Sequence, residues 1–128
     1  RFAPNRTGFD WLSRDEAEVD AYVDDPLCGF DVTVETWIAF LDALPALTDP
    51  ENLRCIPKDK PIYCFAGECD PVGGKAGVTS LVDAYRGAWL TDVEVAIYPG
   101  ARHEILNETN RDEVTADLLR WLDRVTGA

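Results

Sequence analysis

The sequence predicts an α/β fold whose strands run parallel. Two short apolar runs, residues 61–67 and 93–98, each end in a turn and each lead through a loop into a stretch of helical periodicity. Strand, loop, helix, strand, loop, helix is the pattern of a parallel sheet joined by a right-handed crossover. Length and composition agree: 128 residues, 46% apolar and 28% charged, make one ordinary globular domain with a real core.

Taken in order, residues 1–12 read as an extended lead-in broken by Pro4, Thr7 and Gly8, with Phe2, Phe9, Trp11 and Leu12 in need of burial. Ser13-Arg14-Asp15-Glu16 has the form of a capping box, in which Ser13 accepts a helical N–H and Glu16 reaches back. It opens a short acidic helix over 15–23, ended by Asp25-Pro26. Thr33 caps a second helix with Val34, Trp37, Ile38, Leu41 and Leu44 on one face, and Pro45 marks its end. Residues 45–60 form a connector without periodicity. The run 61–67 is apolar almost throughout, as expected of a strand buried on both faces. A loop follows, holding Asp70-Pro71 and Gly73-Gly74, then a helix over 75–86 with Val78, Leu81, Val82 and Tyr85 inward. The second strand, 93–98, is stopped by Pro99-Gly100. After a loop over 101–109 the last helix starts near Asn110. Glu113 stands at its capping-box position, and Val114, Leu118, Trp121, Leu122 and Val125 form its buried stripe.

Composition narrows the function. The net charge of −12 argues against nucleic acid and anionic membrane surfaces as partners, since both need a basic footprint. Half of that charge lies in residues 10–25, which hold seven acids and one arginine and read as a solvated helix face. No apolar run approaches the ~20 residues that cross a bilayer, and no signal-peptide pattern opens the sequence. There is no methionine, so the N-terminus is expected to be a cleavage boundary of something longer. Cys28, Cys55, Cys64 and Cys69 are irregularly spaced and are expected to be reduced thiols of a cytoplasmic protein. With no Cys-x-x-Cys pair and a single histidine, no zinc set can be completed, and neither a metal nor a cofactor is expected. Gly73-Gly74-Lys75 does not have the spacing of a phosphate-binding loop.

In a parallel sheet, functional groups gather beyond the carboxyl ends of the strands. Asp70 lies four residues past Ala66 in the first strand, and His103 five residues past Tyr98 in the second. Neighbouring strands bring both to one rim. There the carboxylate accepts an imidazole N–H, fixes the tautomer and stabilises the imidazolium. The order acid then histidine is that of the last two members of a Ser, Asp, His triad.

The stretch Phe65-Ala66-Gly67-Glu68-Cys69-Asp70-Pro71-Val72-Gly73 resembles the acid loop of the monoglyceride-lipase-like, or lysophospholipase-like, serine hydrolases. Tyr98-Pro99-Gly100-Ala101-Arg102-His103-Glu104-Ile105-Leu106-Asn107-Glu108 is similar to their histidine loop and is the most specific part of the match. The final helix through Trp121-Leu122 also matches. Leu12-Ser13-Arg14-Asp15 and Tyr22-Val23-Asp24-Asp25-Pro26-Leu27 resemble the helical cap of that family. The resemblance implies the C-terminal part of an α/β-hydrolase sheet with a helical cap: a cap segment over 1–50 and the C-terminal part of the core over 51–128. It implies Asp70 as triad acid, His103 as general base, and lipid-like esters such as monoacylglycerols or lysophospholipids as substrates.

The departure from the family is large. The nucleophile elbow Gly-x-Ser-x-Gly is absent, since Ser13 stands in the capping box and Ser80 in a helical stretch, and no oxyanion-hole motif is present. Such hydrolase domains run to roughly 200–250 residues. The chain is therefore expected to be inactive alone and to associate with an N-terminal fragment that carries the serine, or with itself. Two alternatives stand beside this reading: another reaction on the same fold (acyl transfer, dehalogenation, peptide cleavage), or a non-catalytic interaction module. Glu104 and Glu108 are expected to cap the approach to the last helix, with a place behind the site or facing the substrate as the alternative. Phe9, Trp11 and Trp37 are expected to pack in the core or cap, with an acyl pocket as the alternative.

Overall fold

The computed structural model describes residues 2–127. Its centre is a parallel pair of strands, β1 (Ile62–Gly67) and β2 (Val93–Tyr98), in register from Ile62 opposite Val93 to Gly67 opposite Tyr98. Helix α4 (Gly74–Gly87) makes the crossover and packs on both strands, and α5 (Arg111–Thr126) closes the chain. The two-residue strand period divides the core into two layers. Ile62, Cys64 and Val93 face Leu53, Val82, Ala88 and Leu90, whereas Phe65, Ala96 and Tyr98 face Ala101, Ile105 and Val114. The α/β class and both expected strands are present.

Three further helices precede the sheet: α1 (Glu16–Asp24), α2 (Val34–Leu47) and α3 (Pro50–Arg54). The expected capping box at α1 does not form. Asp15 caps instead, accepting the Ala17 N–H at 3.0 Å. Ser13 is buried; its hydroxyl donates to the Asn107 carbonyl at 2.8 Å and accepts the Asp15 N–H at 2.9 Å, one step ahead of the helix. Thr33 caps α2 as expected, accepting the Thr36 N–H at 3.3 Å. Pro45 does not end α2, which continues to Leu47. This close to the C-terminus a proline removes one hydrogen bond, and there is little helix left to break. The connector 45–60 is not wholly irregular. Asp49 accepts the N–H groups of Glu51 and Asn52 at 2.8 and 3.2 Å, and Pro50 sits at the first turn of α3, where its missing N–H costs nothing.

The apolar face of α2, expected to be packed, is open: Trp37, Ile38 and Leu41 are each more than half exposed. Among the described residues β1 pairs only with β2, and its first four residues are half-buried, so the cover expected on both faces is incomplete. The Asn110–Glu113 capping box is also absent. The Asn110 amide donates to the Glu113 carboxylate at 2.9 Å, but its oxygen accepts from Arg14 at 2.7 Å and caps no backbone N–H of α5. The stripe of α5 buries only Val114 completely. No helix among the described residues is long and apolar enough to cross a membrane.

Candidate active site

The loops after β1 and β2 are laced together beyond the carboxyl ends of the strands. The Glu68 N–H donates to the Tyr98 carbonyl at 3.0 Å and the Cys69 N–H to the Ala101 carbonyl at 2.9 Å, so pairing continues past the sheet. Gly67 is where the two loops come closest. A Cβ there would run into the carbonyl oxygens of Ala101 and Arg102, which is why the position takes glycine. The Asp70 N–H donates to the Gly67 carbonyl, and Asp70 Oδ1 accepts the Val72 N–H at 2.8 Å, an Asx turn that fixes the carboxylate.

The same Oδ1 lies 3.1 Å from His103 Nδ1. Asp70 is nearly buried, with 12% of its side chain exposed, while His103 is open at 36%. The two residues singled out in the sequence are thus in contact, 33 positions apart in the chain. A carboxylate only accepts, so this geometry puts the proton on Nδ1 and leaves Nε2 free to take another. The Trp11 ring packs on the imidazole at 5.0 Å between centroids. Two cavities flank the pair. One of about 380 Å³ is lined by Phe2, Asn5, Trp11, Pro71 and Val72; the other, about 310 Å³, is lined by Phe65, His103 and residues 104–107. Trp11 therefore both lines a cavity and packs on the histidine, whereas Trp37 stands in solvent.

The sequence left Glu108 between a helix cap and a place behind the site, and it did not mark the partners of the network beneath His103. Glu108, expected as a helix-approach cap, is fully buried and paired with Arg14 at 2.8 Å. Burial pulls its carboxyl upward, but the Arg14 guanidinium and the backbone N–H groups of Arg102, Thr109 and Arg14 prevail and hold it below the ordinary glutamate value. Arg102 reaches back to the carbonyls of Asp10 and Ser13, the latter at 2.9 Å. A further pair of groups lies on the α5 side. Tyr98 donates to Asp117 at 2.9 Å, and burial, with the Tyr63 and Asp117 hydrogen bonds, pushes its hydroxyl far above the usual tyrosine range.

Residues 1–110 match the profile of the family described as serine aminopeptidase, S33. The chain belongs to this family. Over 72 residues it is 35% identical to monoglyceride lipase of Saccharomyces cerevisiae, a match covering 54% of this chain and 22% of the lipase. The fold superposes on a thermostable carboxyl esterase from Bacillus coagulans with a TM-score of 0.83 at 29% identity, over 96% of this chain and 41% of the esterase. A soluble variant of the S. cerevisiae lipase bound to a substrate analogue gives 0.77 at 25% identity, over 92% and 42%. The monoacylglycerol lipase of Paleococcus ferrophilus, at 21% identity and 0.76 over 95% and 47%, shares the fold. The chain is thus an α/β-hydrolase of monoglyceride-lipase-like fold, and it spans less than half the length of each of these relatives.

Proposed function

We propose that this chain supplies the acid and the base of a carboxylic-ester hydrolase whose nucleophilic serine lies outside residues 1–128. The observation that carries the reading is the Asp70–His103 contact at the carboxyl ends of two adjacent parallel strands. In the complete enzyme His103 Nε2 takes the serine proton as the serine oxygen bonds to the ester carbonyl carbon. The imidazolium, steadied by Asp70, returns that proton to the departing alkoxide when the carbon–oxygen bond breaks. Nε2 then takes a proton from water, whose oxygen cleaves the acyl-enzyme to release the acid and restore the serine.

Residues 1–50 serve as the cap and 51–128 as the C-terminal part of the core. Lipid-like esters, monoacylglycerols or lysophospholipids, are the substrates this reading names, in keeping with the lipases among the relatives. Four free thiols support a reducing, cytoplasmic setting. The test joins this chain to the N-terminal half of a relative that carries the serine, then assays a monoacylglycerol ester beside an aminoacyl anilide. Ester turnover that needs both halves and falls ~10³-fold or more in His103→Ala supports the proposal. Anilide turnover alone would assign the peptidase reaction instead, and activity indifferent to His103 would remove it from catalysis.

A further inference from the structure

We infer that Glu108 is a positioning residue for His103, holding the imidazole in place by tying the histidine loop to residues 10–14. The inference rests on the reading of His103 as the base. Each Glu108 oxygen takes two N–H donors. Oε1 accepts from the backbone of Arg102 at 2.8 Å and of Arg14 at 3.1 Å; Oε2 accepts from Arg14 Nε at 2.8 Å and from the Thr109 backbone at 3.0 Å. Arg102 immediately precedes His103. Arg14 ends the segment whose Trp11 and Leu12 carbonyls accept the N–H groups of His103 and Glu104, at 3.4 and 2.8 Å. One carboxylate therefore grips both sides of the junction in which the imidazole sits, packed against Trp11. A fully buried carboxylate with four donors is directional in a way apolar packing is not, because sliding the loop strands a charge without partners.

His103 is the only histidine, so its ring can be read without ambiguity. Labelled with ¹⁵N-histidine, the chain is studied by magic-angle-spinning NMR at alkaline pH, which reports the protonated nitrogen at any assembly size. The wild-type chain should show the Nδ1–H tautomer that Asp70 selects. Glu108→Gln should lose that signal to Nε2–H while circular dichroism keeps its helix content. Val82→Ala, which weakens the opposite core layer, should leave the tautomer unchanged and so separates positioning from general destabilisation. An undiminished Nδ1–H signal in folded Glu108→Gln overturns the role of Glu108 and leaves the Asp70–His103 pair standing. Absence of Nδ1–H from the wild-type chain overturns the pair and the inference with it. If Glu108→Gln does not fold, Glu108→Asp decides, since it keeps the charge but draws the carboxylate back from the Arg102 and Arg14 N–H groups: a reduced Nδ1–H signal supports the role, an unchanged one overturns it.

Discussion

A methyl group on Gly67 has nowhere to go, because the carbonyls of Ala101 and Arg102 occupy its space. Gly67→Ala should therefore push the acid and histidine loops apart. We expect a loss of about 1–3 kcal/mol, the usual cost of overpacking, read as a lower denaturant midpoint with unchanged slope. Glu108 makes a second residue-scale prediction. Its folded carboxyl lies below the ordinary value of 4.5, so its charged form contributes stability that is complete above that value and is lost as pH falls through the folded one. Glu108→Gln should cost about 3 kcal/mol at neutral pH, the order expected on breaking a buried ion pair. The gap between variant and wild type should narrow on acidification below pH 4.5. A gap constant down to the acid transition would mean that the carboxylate is not what holds the junction.

At the scale of elements, α2 and β1 carry the open questions of the fold. The α2 sequence is apolar on nearly all sides, a composition typical of a buried helix, yet Trp37, Phe40 and Leu41 are exposed. Trp37→Lys with Leu41→Lys should change stability by less than ~0.5 kcal/mol, as surface substitutions do, while lowering the tendency to self-associate. A large loss of stability in a dilute, monomeric sample would show instead that the α2 face is packed. Among the described residues β1 has a strand on one edge only and an incompletely covered face, which together invite pairing with another strand.

For the whole molecule these exposed elements predict association. Sedimentation of the chain alone should show oligomers, and addition of a serine-bearing N-terminal half should convert them to a one-to-one complex. A monomer that melts in one sharp two-state transition would favour the interaction-module alternative. The thiols give an independent check: Cys28, Cys55, Cys64 and Cys69 are all free, and titration under denaturing, non-reducing conditions should find four groups.

The strands, α4 and the contact of Asp70 with His103 were legible in the sequence, because a two-residue period, a 3.6-residue period and the parallel crossover rule are local or nearly local physics. The Thr33 cap was legible for the same reason. What the sequence could not determine lies in the bonds that join residues 13 and 14 to the loop ahead of α5. Ser13 gives its hydroxyl proton to the Asn107 carbonyl, Asn110 turned its oxygen to Arg14, and Glu108 became the buried tie between residue 14 and residue 102. No periodicity marks such a pair in advance. A buried carboxylate takes whichever donors the folded chain brings within reach, and only the tertiary structure decided that those donors flank the histidine.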